Sequence, residues 1–152
     1  MRIVLQRVNH ASVIVEGQTV GEISRGVLLL VGFGSEDDDP PLKAMAQKIV
    51  SMRIFPRGDS GFDISLLDIG GEVLLVPQFT LYGETSKGRR PDFFSAMAPD
   101  RATTLFDQFV EEFRSLRIKK VATGQFGAHM QVALENDGPV TFVLDSRVLT
   151  TT

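Results

Sequence analysis

Two short segments concentrate the residue types that could do chemistry: Pro77-Gln78-Phe79-Thr80-Leu81-Tyr82-Gly83 and Asn136-Asp137-Gly138-Pro139-Val140-Thr141. The first follows an apolar run ending at Val76, so an amide, a hydroxyl and consecutive backbone N–H groups come where the chain leaves a strand. Loops leaving rigid strands are favoured places for sites. Spacing alone favours a plainer reading, a strand continuing past a proline with Gln78 and Thr80 toward water and Phe79 and Leu81 toward the core. Pro77 weighs against it, because proline cannot donate to a ladder and keeps to edges, bulges and strand starts. The second segment reads by default as a turn between two strands, its first four residues being turn formers. A cis bond before Pro139 would aim the Gly138 and Pro139 carbonyls in one direction, and the sequence leaves the isomer open.

Other catalytic equipment is missing. There is no P-loop, dinucleotide glycine fingerprint, His-Glu-x-x-His or Gly-x-Ser-x-Gly elbow. Thr80 would be a nucleophile only beside a base, and none is obviously paired with it, so a positioning or structural hydroxyl is the plainer assignment. His10 and His129, the two histidines, both fall in strand-like stretches and read as surface or hydrogen-bonded structural groups. Asp63, Asp68 and Asp137 read as loop formers. Phe93 and Phe94 read first as core, although an aromatic near Arg89 and Arg90 could stack on a base. With no cysteine, neither a disulfide framework nor a thiolate metal site is available, and with only two histidines a structural zinc is effectively excluded.

A net charge of -3 and a pI near 5.4 argue against a protein that coats nucleic acid, since such binding rests on many phosphate neutralisations. Any RNA contact should be local. Lys87-Gly88-Arg89-Arg90 places three cations within four residues; its bland reading is a solvated loop. The start Met1-Arg2-Ile3-Val4-Leu5 lacks the features of a signal peptide, and the longest apolar stretch, Val27 to Phe33, is far shorter than a bilayer span. The expectation is a cytoplasmic protein without membrane partners.

The elements that must position these segments follow from periodicity. Arg2 to Leu5 and Val8 to Val15 read as strands, the latter turning through Glu16-Gly17-Gln18 into Thr19 to Ile23 as a hairpin. Val27 to Phe33 suits a central strand buried on both faces. Helical spacing at Leu42, Met45, Ala46, Ile49 and Val50 predicts a helix from Pro41 to about Met52. The apolar stripe Leu105, Phe106, Phe109, Val110, Phe113 and Leu116 predicts a second from about Pro99 to Arg117. Further strands are expected at Arg53 to Phe55, Gly71 to Val76, Ala128 to Leu134 and Pro139 to Leu144, with a loop and short apolar segment over Ser60 to Gly70. Thr150 to Thr152 read as a frayed end. At 152 residues and 43% hydrophobic composition, the chain fits a single domain spanning 1–152. Its expected class is α+β, a mixed, curved or barrel-like sheet with two packed helices.

Taken together, the sequence resembles the D-aminoacyl-tRNA deacylase family along essentially its whole length. The resemblance rests on Met1-Arg2-Ile3-Val4-Leu5-Gln6-Arg7-Val8, Ala11-Ser12-Val13, Gln78 to Tyr82, Lys87-Gly88-x-Arg90-Pro91, Thr123-Gly124-x-Phe126-Gly127-Ala128-x-Met130 and Asn136 to Thr141. It implies hydrolysis of the ester joining a D-amino acid, and also glycine, to the terminal adenosine of tRNA. It also implies a homodimer with active sites at the subunit interface, aminoacyl-tRNA rather than DNA as partner, and no cofactor. Gln78, Phe79 and Thr80 would line the pocket, with backbone N–H groups near Phe79 and Thr80 holding the developing oxyanion. The adenosine 2′-hydroxyl would help activate water. Gly138-Pro139 would be cis and project into the other subunit's pocket, where its carbonyls crowd out L side chains. Arg7 would hold that motif, with Pro77, Met130, Asn136 and Thr141 supporting and Lys87, Arg89 and Arg90 meeting tRNA.

The chain departs from the family at Pro77, where serine is usual. A class of animal deacylases that tolerates L-alanyl-tRNA also has proline there. That class alters the second motif as well, whereas Asn136 to Thr141 keeps the ordinary form here, so D-specificity is the expectation. The alternatives are relaxed chirality including L-alanyl-tRNA, and a noncatalytic RNA-binding module using Lys87, Arg89 and Arg90.

Overall fold

Strand β1 (Arg2–Val15) organises the sheet, because its two halves have different neighbours on one side and a single neighbour on the other. Residues 2–8 pair antiparallel with β3 (Gly26–Gly32), residues 11–15 with β2 (Gln18–Ile23), and the opposite edge pairs with β8 (Gln131–Asp145). The expected break between Leu5 and Val8 is absent; Gln6 and Arg7 continue the ladder. The β1–β2 turn at Glu16 and Gly17 has positive φ at both residues, 48° and 76°, the twist that two-residue hairpins favour.

The other connections run through helices and make the sheet mixed. From β3 the chain passes through α1 (Leu42–Ser51), the small hairpin β4 (Phe55–Arg57) and β5 (Ser60–Ile64), and α2 (Leu66–Ile69). It then returns as β6 (Glu72–Pro77), parallel to β3. Helix α3 (Pro99–Arg114) connects to β7 (Val121–Thr123), parallel to β6. Where β2 approaches β7, a Cβ on Gly21 would stand 2.4 Å from the Thr123 carbonyl oxygen, so only glycine lets the sheet curl this tightly. The result is the expected α+β fold, a nearly closed barrel-like mixed sheet.

Alternation along the central strands separates two cores. Val27, Leu29 and Val31 of β3, with Val73 and Leu75 of β6, meet Met45, Ile49, Phe106, Phe109 and Phe113 on α1 and α3. Leu28, Leu74 and Val76 point the other way and pack with Val8, Val13 and Ile23 inside the curl. Fixing β3 and β6 from both faces makes their carboxyl ends a rigid platform.

The computed structural model describes residues 1–150; of the expected frayed end, Thr151 and Thr152 lie outside the described residues. Several expectations need correction. Arg53 and Ile54 are not in a strand, which begins at Phe55, and the stretch read as a loop holds β5 and a third, one-turn helix. That turn is fixed by a capping box. Ser65 Oγ accepts from Asp68 N–H at 3.1 Å, while the Asp68 carboxylate accepts from Ser65 N–H at 2.8 Å and is held below its ordinary pKa by these bonds. Asp63 lies in β5, paired with Arg53 at 2.7 Å and Arg57 at 3.3 Å, rather than in a loop. Strand β7 was not foreseen, being only three residues long.

Candidate active site

At the carboxyl ends of β3 and β6 the chain opens into a cleft of about 620 Å³ whose lining includes Pro77, Gln78, Phe79 and Met130. Pro77 completes β6 beside Val31, and Gln78 N–H still donates to the Val31 carbonyl at 2.7 Å. There the strand ends, and Phe79–Tyr82 wind into a single 3₁₀ turn. A strand continuing to Tyr82 is therefore not what forms. With Gln78 at φ -144° and ψ 78°, the chain enters the turn so that the amides of Phe79 and Thr80 precede its first internal bond. Among the described residues neither amide meets an acceptor.

The far end of this turn is anchored from β1. Arg2 Nη1 donates to the Leu81 carbonyl at 3.0 Å, and its guanidinium lies 4.4 Å from the Tyr82 ring centre. The Tyr82 hydroxyl donates to Asp37 at 3.3 Å, and burial together with Asp37 raises its pKa well above the ordinary tyrosine value. Gln78 Nε2 donates to Thr80 Oγ1, which ties the two polar side chains to one another. Among the described residues the lining holds no carboxylate or lysine, and His129, exposed, is its only titratable group. His129 sits in the loop before β8 instead of an alternating strand, which begins at Gln131. Chemically, the cleft offers an apolar floor with Phe79 in its lining and Thr80 just beyond it, and free N–H groups of this kind suit an oxygen acquiring negative charge.

The second segment is not a turn. β8 runs in one direction from Gln131 to Asp145, with Asn136 opposite Val8 and Thr141 opposite Gln6. Residues 137–140 therefore bulge out against Arg7 alone. Asn136 closes the bulge: its Oδ1 accepts from Val140 N–H at 2.7 Å, and its Nδ2 donates to the Val140 carbonyl at 3.2 Å and to Thr141 Oγ1 at 3.0 Å. From within, buried Arg7 donates through Nε to the Asp137 carbonyl at 2.9 Å and through Nη1 to the Ile54 carbonyl at 2.7 Å. The Asp137 carboxylate is 3.4 Å from Nε. The Gly138–Pro139 bond is cis, and both residues are exposed.

The chain thus gathers the predicted residues into separate groups. Pro77, Gln78, Phe79 and Met130 share the cleft with Thr80 beside them, whereas Arg7, Asn136, Gly138, Pro139 and Thr141 share the bulge. Arg7 faces Val27, near the start of β3, and the cleft lies at Val31, four residues on and so roughly 13 Å along the strand. Lys87, Arg89 and Arg90 form an exposed loop closed by paired backbone bonds between Glu84 and Asp92.

Sequence reasoning missed several contributors. Phe93 was read as core but is 38% exposed and walls the cleft, its ring meeting Phe79 edge-on at 5.1 Å between centres. Phe94, read first as core with stacking on a base as the alternative, is 90% exposed. Ile54 matters through its carbonyl, which no side-chain pattern could signal. Among the described residues no group of three or more His, Asp or Glu side chains could hold a metal ion, and no helix is long and apolar enough to cross a membrane.

Comparison with known proteins places this geometry in context. Residues 4–145 match the family model described as D-Tyr-tRNA(Tyr) deacylase. A protein from Thermosipho africanus named D-aminoacyl-tRNA deacylase is 51% identical over 147 residues, covering 97% of this chain and 98% of the relative. A Clostridium perfringens protein of the same name shows the same identity and coverage. A solved structure named c-Myc DNA Unwinding Element Binding Protein superposes with a TM-score of 0.88 at 39% identity, covering 95% of this chain and 98% of its own.

Proposed function

The chain belongs to the D-Tyr-tRNA(Tyr) deacylase family, and from that premise we propose that it hydrolyses the ester linking a D-amino acid, or glycine, to the 3′-terminal adenosine of tRNA. The observation that carries the reading is the pair of acceptor-free amides at Phe79 and Thr80, at the mouth of a cleft whose lining contains no carboxylate. In this mechanism the ester carbonyl points at these N–H groups, which are already oriented when the tetrahedral oxyanion forms. Water attacks the carbonyl carbon and the bond to the ribose oxygen breaks. That oxygen takes one of the water's protons and leaves as a hydroxyl, and the amino acid departs as its carboxylate with the second proton lost to solvent. The neighbouring 2′-hydroxyl of the adenosine positions that water, so no protein base is required. Gln78 and Thr80 orient each other and shape the rim.

In the same reading, the chain acts as a homodimer in the cytoplasm, and Gly138-Pro139 of one subunit enters the cleft of the other to crowd out L side chains. The separation of bulge and cleft within one chain, roughly 13 Å along β3, supports this arrangement, because it keeps Gly138-Pro139 out of the cleft of its own subunit. Arg7, Asn136 and Thr141 hold the bulge, while Lys87, Arg89 and Arg90 meet tRNA phosphates.

Incubating the purified protein with D-Tyr-, L-Tyr-, Gly- and L-Ala-tRNA tests the proposal. Rapid release from D-Tyr- and Gly-tRNA with L-Tyr-tRNA spared is expected, and no release from any of them would refute it. Pro77 in place of the family's serine favours one variant reading, relaxed chirality, for which fast loss of L-Ala-tRNA would be the signature. The relative named as a DNA unwinding element binding protein favours another, nucleic-acid binding without hydrolysis. Turnover at low enzyme concentration excludes it.

A further inference from the structure

Phe94 is the most exposed large hydrophobic side chain among the described residues, at 90%, yet it sits in a hydrogen-bonded turn. Its N–H donates to Asp92 Oδ1 at 3.4 Å, and the Phe93 carbonyl accepts from Ala96 N–H at 3.0 Å, closing a turn with Phe94 at its second position. The residues at the two ends of that turn, Phe93 and Ala96, both line the cleft. Phe94 therefore stands immediately outside the cleft wall on an ordered turn. On its N-terminal side, the loop closed by Glu84 and Asp92 presents Lys87, Arg89 and Arg90. Among the described residues none of these cations is paired with a carboxylate.

An exposed aromatic ring beside free cations is the combination that binds single-stranded nucleic acid, cations meeting phosphates and the ring taking a base face. We propose that Phe94 is a stacking platform for an unpaired nucleotide of the tRNA 3′ end, one that precedes the reacting adenosine. This rests on the deacylase reading for the identity of the strand, and it adds a positioning residue outside the reaction centre. A strand whose last nucleotide enters the cleft must cross the rim, and local positive charge in a chain of net charge -3 selects a polyanion there. The ring works through the neighbouring nucleotide and touches no reacting atom.

The test compares the wild type, F94A and F94Y on D-Tyr-tRNA and on D-tyrosyl-adenosine, which has no preceding nucleotide. F94A is expected to raise KM for the tRNA about five- to tenfold with kcat unchanged, the low end of base–aromatic stacking. F94Y should restore it, and neither variant should alter turnover of the adenosine ester. The chain has no tryptophan, so the indole of F94W is a sole reporter, and its fluorescence should be quenched by an oligonucleotide ending in CCA. An unchanged KM for F94A or an unquenched indole would overturn the proposal, as would F94A dissociating a dimer in sedimentation, which would assign the ring to a second copy. If the wild type hydrolyses neither ester, the deacylase reading fails by itself, and quenching still decides the stacking.

Discussion

Arg7 is the single residue of β1 opposite the four-residue bulge of β8, and its Nε donates to the Asp137 carbonyl at 2.9 Å. The same guanidinium reaches the Ile54 carbonyl at 2.7 Å, so one buried cation fastens the bulge to the segment after α1. Arg7→Ala would leave both carbonyls without their charged donor. The expected cost is about 2–3 kcal/mol of stability, or roughly a 5–10 °C fall in melting temperature by thermal denaturation. Arg7→Lys should recover only part, because an ammonium lacks the planar fork that serves two acceptors at once. Recovery of the full melting temperature by the lysine variant would show that charge alone holds the bulge.

Gly138 carries the second prediction. Its φ of 148° lies where L side chains are strained, and an added Cβ would come within 2.6 Å of Val140 Cγ2 and 2.8 Å of Val140 N. Gly138→Ala must therefore shift the bulge, at about 1–3 kcal/mol locally. Both Gly138 and Pro139 are exposed, and Val140 is the one buried apolar side chain among the new methyl's nearest neighbours, so the variant should fold. On the proposed mechanism it hydrolyses D-Tyr-tRNA with at most a small loss but admits L-Tyr-tRNA. Parallel time courses on the two substrates check this, and a variant that still rejects L-Tyr-tRNA would remove the bulge from chiral selection.

What could be read from the sequence divides along the nature of the interaction. The continuous apolar runs Val27 to Val31 and Val73 to Val76, and the stripe on α3, report burial directly, and so the central strands, both long helices and the mixed sheet were legible. The bulge was not, because Asn136-Asp137-Gly138-Pro139 satisfies turn chemistry equally well whether the chain reverses or only leaves its ladder; pairing with β1 on both sides decided it. At Phe79 the alternating pattern suggested strand, yet the lack of a ladder partner beyond Gln78 let a 3₁₀ turn form. Phe93 and Phe94 misled for a simpler reason: apolarity predicts burial only when nothing else requires exposure.

Asp145 yields a prediction about acid. It accepts from Arg147 Nη2 at 2.7 Å and Arg147 N–H at 2.9 Å, and lies 3.7 Å from Arg2 Nε. The Arg147 side chain, above all, holds its carboxyl down at about 2 despite the opposing effect of burial. A depressed folded-state value means the charged form stabilises the fold. That contribution is complete above the unfolded carboxylate value, about 4, and is lost as pH falls toward about 2. Asp145→Asn should lower the melting temperature at pH 7 while flattening its decline across that window. Parallel acid limbs in the two proteins would show that Asp145 does not couple to folding.

The amide of Phe79 can be tested separately from its ring. Phe79 is the first residue of the 3₁₀ turn, and Gln78 before it, at φ -144° and ψ 78°, lies outside the helical region that a following proline disfavours. Phe79→Ala removes the ring and keeps the N–H; Phe79→Pro removes both. If the amide holds the oxyanion, proline should lower kcat on D-Tyr-tRNA about a hundred- to thousandfold below the alanine variant. Thr80→Ala keeps its own N–H and should stay within about tenfold of wild type, because the mechanism assigns the hydroxyl no bond to carbon. A near-complete loss in Thr80→Ala with an unchanged melting temperature would instead make that hydroxyl the nucleophile, and equal rates for the two Phe79 variants would remove the amide from the oxyanion site.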